Sequence, residues 1–370
     1  MRETVRTAHV ASSVLTILTA FAAPAAAQQR KPPESFTVGT ATARAGETAY
    51  GELRVPAGVD SGTAIAVAVI RGSRPGPTLA AISGAHGTEY ASVVALSRVI
   101  ARIDPKALAG TVIVAPLLNV PSFEQMTVHV NPTDRKGMNA EYPGKADGTQ
   151  TERALAIVAS QVVDRADVVL DLHGGDLDED LRPYSYWIRG GRASQDSASR
   201  ALALAFGLDH VIVRDVDLTA PAQARSLSGY AMAKGKTALV AEAGRAGTVA
   251  PEDVEALIAG TLNVLGTLGM LERAVRPVEH PVWLGSGSRV RAEKGGMFFP
   301  TVARGTYVSQ GMRVGYTTDP VGRPMGDVRA PEAGVVTFIR GVPSMWPGAT
   351  LVNIGPVLAD PGSWARPTLQ

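Results

Sequence analysis

Four side chains of this sequence are placed where hydrolytic chemistry could be done. His86 and Glu89 lie three apart in Gly84-Ala85-His86-Gly87-Thr88-Glu89, a spacing that lets an imidazole and a carboxylate converge on one point. His173 opens the run His173-Gly174-Gly175. Two imidazoles and a carboxylate are the donor set of a catalytic zinc site, with three protein ligands and a fourth position left open. Glu242 directly follows an apolar run, where a carboxylate is costly unless it is used or paired. Partial burial would raise its pKa toward the working range of a general acid/base. Asp171 precedes His173 by two residues, on the same side of an extended chain, and could orient that imidazole through its second nitrogen. Each residue also has a plainer alternative. His-x-x-Glu arises by chance in many chains, either His could be a hydrogen-bonded loop residue, and Glu242 could pair with Arg245 or Arg182.

These residues need elements to hold them. Short β-branched or apolar runs occur at 64–70, 78–83, 111–117, 167–172, 210–213 and 237–241, and helical patterns lie between several of them. His86, His173 and Glu242 each follow one of these runs. Val93, Leu96, Ile100 and Ile103 share a helical face within 88–103. Thr149-Gln150-Thr151-Glu152 is a capping-box signature, and Leu155, Val158 and Val162 follow it at helical spacing. Pro251 opens a helix expected to run to about Glu272. The fold class expected is α/β: a mixed, mostly parallel sheet with helices on both faces, plus a small C-terminal β-rich domain. Sites in such sheets lie beyond the carboxyl ends of strands. One or two strands are expected in 36–55. Beyond Pro277 the pattern turns to short strands and Gly turns, and the segments 295–314 and 333–352 resemble each other, as two halves of a small barrel or sandwich would.

Composition narrows the function. The 370 residues carry Lys+Arg 36 against Asp+Glu 34 with no basic block, which argues against nucleic acid as partner. With no Cys there is no thiol nucleophile, disulfide or iron–sulfur cluster, so any metal must sit on His and carboxylate. Residues 1–27 read as a signal peptide: Arg2 and Arg6, an apolar stretch from Val10 to Ala23, and Ala25-Ala26-Ala27 before Gln28. Residues 28–35 read as a linker, 36–275 as the catalytic domain and 276–370 as the β-rich domain. The product is expected to be exported, periplasmic or secreted, with no later membrane span, and a homo-oligomer is compatible with it. Gly229 to Thr237 approaches a P-loop but has five residues where four are required, and no Gly-x-Ser-x-Gly elbow appears.

Taken together, Gly84-Ala85-His86-Gly87-Thr88-Glu89, Asn131-Pro132-Thr133-Asp134, Met138-Asn139 with Tyr142-Pro143-Gly144, Asp171-Leu172-His173 and Glu242-Ala243-Gly244 resemble the succinylglutamate desuccinylase/aspartoacylase family of the zinc carboxypeptidase clan. The resemblance runs from about Pro77 to Gly247. It implies one zinc ion per chain on His86, Glu89 and His173, Glu242 as general base, and hydrolysis of an amide bond in an N-acyl amino acid or peptide-like substrate. The family's Asn-Arg pair is Asn139-Ala140 here, and its arginine upstream of Asn-Pro is absent; Met126 and His129 occupy that stretch. Losing these guanidinium groups removes a bidentate clamp on a planar anion. Asn131, Asn139, His129, Arg135, Arg182 and Tyr184 are the expected substrate contacts, with Arg135, Lys136 or Arg182 candidates to replace the lost charge. Two other readings remain: a zinc carboxypeptidase acting on peptides, and a weakly catalytic metal- or ligand-binding member.

Overall fold

The computed structural model describes residues 34–220, 224–359 and 361, so the expected signal peptide and most of the linker lie outside the described residues. A nine-stranded sheet organises the chain. From one edge to the other its strands are Val282–Leu284, His210–Asp215, Tyr184–Arg189, Thr237–Glu242, Val168–His173, Arg74–Ser83, Ala109–Ala115, Thr63–Arg71 and Glu47–Val55. The pairing is mixed and mostly parallel. It is antiparallel only where Tyr184–Arg189 meets Thr237–Glu242 and at the last two pairings, toward Glu47–Val55.

Central strands are apolar on both faces because helices cover both. The helices Tyr90–Arg102, Ala193–Phe206 and Pro251–Thr267 pack against Leu79, Val112, Leu170 and Leu239. Gln150–Gln161 and Leu227–Ala233 pack against the alternate residues Ile82, Ile113, Val169 and Val240. Every residue of Ala109–Ala115 is buried, as a strand covered on both sides requires. The expected capping box forms: Glu152 accepts from the Thr149 backbone N–H at 3.0 Å and also binds Lys136 at 2.9 Å.

Three elements depart from expectation. Residues 36–55 lie in three strands rather than one or two, the first already starting at Ser35. The helix opened by Pro251 stops at Thr267, five residues short, because Gly269 turns into the left-handed region at φ +66°. The run after Pro183, absent from the expected strands, is the strand Tyr184–Arg189 inside the large sheet.

In the C-terminal region, Gly296–Pro300 pairs with Arg313–Thr318 in one sheet and Gly334–Arg340 with Thr350–Gly355 in another. The two segments that look alike therefore form two antiparallel pairs. They share one core of Phe298, Val314, Ile339 and Val352. The boundary expected at 275/276 is crossed twice. Val282–Leu284 is an edge strand of the large sheet, and Glu179–Leu181, from the catalytic half, pairs with Gly334–Arg340. The described residues accordingly form one compact unit.

Candidate active site

Strand Arg74–Ser83 delivers His86 and Glu89 through a turn that ends at the helix Tyr90–Arg102. Gly84 makes this turn possible: its φ is +67°, and a Cβ there would lie 2.9 Å from the Leu117 backbone. Glu89, 2% exposed, lies between the two imidazoles. Its Oε1 is 2.6 Å from His86 Nδ1, and its Oε2 is 2.9 Å from His173 Nδ1 and accepts from the Gly174 N–H at 3.1 Å. One ligand atom from each of His86, Glu89 and His173 lies within 4.8 Å of the others. The chemistry of the set fits a divalent metal. Both histidines turn Nδ1 toward Glu89, and Asp171 Oδ1 stands 3.1 Å from the other ring nitrogen of His173, Nε2. Burial opposes ionisation of Glu89, yet His173 and His86 outweigh it and hold the carboxyl well below its usual range. Burial likewise lowers the pKa of His173, but Glu89 and Asp171 raise it well above the ordinary value.

Glu242 reaches the same place by sheet register. It is the last residue of its strand, directly beside His173 on one side and Tyr184 on the other. The Tyr184 hydroxyl donates to Glu242 Oε2 at 2.8 Å. Burial raises the Glu242 carboxyl above its usual pKa; the His173 charge and the Tyr184 hydrogen bond pull against it. A carboxylate poised in this way can take and return a proton.

The expected substrate residues divide. Asn139, His129 and Tyr184 line a cleft of about 740 Å³ with the metal cluster and Glu242. Asn139 Nδ2 is 3.2 Å from His173 Nε2. His129 is held at φ +62° with Nδ1 3.2 Å from Asp176. Asn131, Arg135 and Arg182 are not among the cleft-lining residues, contrary to expectation. Asn131 is fully buried and donates to Gln150 and Thr151, so it pins its loop to a helix. Arg135 is exposed on that loop. Arg182 is held by Asp209 at 2.6 Å. Neither Arg135 nor Arg182, candidates to replace the guanidinium missing at Ala140, lines the cleft, and Lys136 is paired with Glu152 at 2.9 Å.

Sequence reasoning missed the opposite wall. Phe338, Arg340 and Asn353 come from a C-terminal sheet, Trp346 from the turn after Ser344–Met345, and Asp178 and Glu179 from the segment after His173. The acidic run Asp176-Leu177-Asp178-Glu179-Asp180, so soon after a ligand candidate, was the available signal. The C-terminal residues had none, because strand pairing across the chain brings them in.

Comparison with known proteins gives the same picture. Residues 75–268 match the model of the succinylglutamate desuccinylase/aspartoacylase catalytic domain. Over 347 residues the chain is 29% identical to an N-alpha-acetyl-L-2,4-diaminobutyric acid deacetylase of Halomonas elongata, covering 90% of this chain and 98% of the relative. A solved succinylglutamate desuccinylase/aspartoacylase from Rhodobacter sphaeroides superposes with a TM-score of 0.75 at 24% identity, covering 85% of this chain and 96% of that one. The product-bound ectoine utilization protein EutE (DoeB) of Ruegeria pomeroyi gives 0.75 at 23%, covering 84% and 95%. At such identities these two structures speak for the fold; the catalytic-domain match, over more than half of the chain, speaks for the family. The chain belongs to the succinylglutamate desuccinylase/aspartoacylase family, whose members are deacylases that hydrolyse amide bonds.

Proposed function

We propose that this protein is a zinc-dependent deacylase that cleaves the amide bond of an N-acylated amino acid or peptide-like compound. The observation that carries the reading is the convergence of His86, Glu89 and His173 beside Glu242 on adjacent strand ends. The deacetylase relative supports amide hydrolysis as the reaction.

His86, Glu89 and His173 would hold the metal, which when bound supplies Lewis acidity toward a carbonyl and makes a water acidic near neutral pH. The chain's own residues do the rest. Glu242 takes the proton of the attacking water and hands it to the leaving nitrogen. Tyr184 fixes the carboxylate by donating to Oε2. Asp171 fixes the His173 ring. Asn139 lines the cleft beside that ring and offers an amide to the substrate.

The reading includes export, on the strength of the basic, apolar and small-residue pattern of residues 1–27. N-terminal sequencing of the protein recovered outside the cytoplasm should begin at Gln28; an intact Met1 there overturns it.

A panel of N-acetyl amino acids and acetylated short peptides, assayed for the released amine, tests the activity. Turnover should stop on chelation and return with zinc. A protein that binds zinc and turns over nothing in the panel, or one that is indifferent to chelator, overturns the reading.

A further inference from the structure

The cleft holds more carboxylates than amide hydrolysis on His86, Glu89 and His173 uses. Glu89 belongs to the metal set, Asp171 stands against His173, and Glu242 is the base. Asp178 and Glu179 are left over, and both line the cleft together with His129. These three residues offer one donor atom each within 4.8 Å of one another, and they share no member with His86, Glu89 and His173. The two sets are neighbours: the His86 and His129 rings are 5.5 Å apart, centre to centre.

Each donor is held from outside the cluster. His129 Nδ1 lies 3.2 Å from Asp176 Oδ2, a carboxylate that favours the proton on that nitrogen and leaves the Nε2 lone pair facing Asp178 and Glu179. Asp176 is itself fully engaged: Thr88 and the Leu177 N–H donate to Oδ1, and the His129 N–H donates to Oδ2. Arg340 stands 2.9 Å from Asp178 Oδ2, and the Asp176 N–H donates to Glu179 Oε2 at 3.2 Å. The oxygens that remain are Asp178 Oδ1 and Glu179 Oε1. Asp178 is 7% exposed, and among the described residues nothing donates a hydrogen bond to its buried Oδ1. A buried carboxylate oxygen without a donor is costly unless a cation meets it.

Distances choose the cation. His129 Nε2 is 3.6 Å from Asp178 Oδ1 and 3.9 Å from Glu179 Oε1, both too far for a direct hydrogen bond. Donors about 2.0–2.4 Å from one metal ion, at angles of about 90–110°, lie about 3–4 Å from each other. Acceptors about 2.8 Å from a tetrahedral ammonium nitrogen would lie about 4.6 Å apart. One imidazole with two carboxylates suits zinc or manganese better than calcium or magnesium, which take oxygen ligands. We propose that His129, Asp178 and Glu179 form a second site for a divalent transition-metal ion beside the first. It holds its ion less tightly, because the His129 side chain is 42% exposed against 6% for His173. The site stands whether or not the protein is a deacylase.

The test titrates the full chain, dialysed until its metal content is constant, with zinc chloride in a calorimeter. Dialysis should leave one zinc per chain, and the titration should add one further equivalent. Glu179→Gln and His129→Gln should each weaken that added equivalent by at least about tenfold and keep the first zinc. His129 is partly exposed, so its replacement should not disturb folding, and an unchanged Tm would show this. His173→Ala, which loses the first zinc on dialysis, should still take up one equivalent from added zinc. A wild-type chain that takes up no second equivalent, or a second equivalent that survives both glutamine variants, overturns the site. The same titration with ethylammonium chloride separates the other cation: uptake of the amine, lost in Glu179→Gln, without uptake of a second zinc assigns the cluster to an ammonium group and overturns the metal. Two zinc ions per chain without turnover of any acylated substrate would retain the second site and sink the deacylase; full turnover with a single zinc at saturation would do the reverse.

Discussion

The floor and the roof of the cleft are built differently. The floor is the large sheet, where Asp171, His173, Tyr184 and Glu242 sit on adjacent strands whose register is fixed by buried apolar neighbours on both faces. A one-residue slip would turn every one of these side chains away, so the geometry of the chemistry follows from core packing. The roof is made of short strands and Gly turns with partly exposed residues. Trp346 is 52% exposed and lies against Arg340, whose guanidinium is 4.5 Å from its ring centre. Arg340 itself is tied down by Asp178 at 2.9 Å. The contrast teaches that the floor sets what reaction is possible and the roof sets what fits beneath it.

That division can be broken at several points. His173→Ala should have the largest effect: zinc falls to trace levels and hydrolysis with it, as elemental analysis and amine release would show. Full retention of metal would remove His173 from the ligands. Glu242→Gln should keep the metal and reduce kcat by about 10²- to 10⁴-fold. A wild-type rate would move the proton transfer elsewhere. Trp346→Ala, on the roof, should raise KM by about tenfold with kcat and zinc content unchanged. A matching loss in kcat would show that the roof shares in the chemistry.

The smallest effect belongs to the floor's support. Glu152 is lowered from 4.5 to about 2, chiefly by the Thr149 backbone N–H and then by Lys136. A depressed carboxyl stabilises the fold above its unfolded value, and that contribution is lost as pH falls from about 4.5 toward 2. Glu152→Gln should therefore cost about 1 kcal/mol near neutral pH, read as a lower Tm. The difference from wild type should shrink as pH falls through that window; a gap that holds at pH 2 would assign the loss to packing.

Wherever a residue's environment is made by its own neighbours in the chain, the sequence was legible. Apolar runs named six of the nine strands of the large sheet, Thr149 and Glu152 named a helix start, and His86, Glu89, His173 and Glu242 stood out at strand ends. Tyr184–Arg189 was not legible as a strand, because Pro183 and the mixed aromatic and polar residues imitate a loop, while pairing with Thr237–Glu242 on one side and His210–Asp215 on the other makes it interior. Asn131 looked like a substrate residue and is a buried tether, because a motif does not say which of its amides has its hydrogen bonds satisfied internally.

The amino-acid order alone thus determined the donor types, their attachment to strand ends and the absence of thiol chemistry, since these depend on side-chain identity and local periodicity. Tertiary structure alone decided that Glu242 stands between His173 and Tyr184, and that arginines near positions 214 and 289 face the same cleft. Strand order and register bring together residues far apart in the chain, and no local pattern encodes that distance.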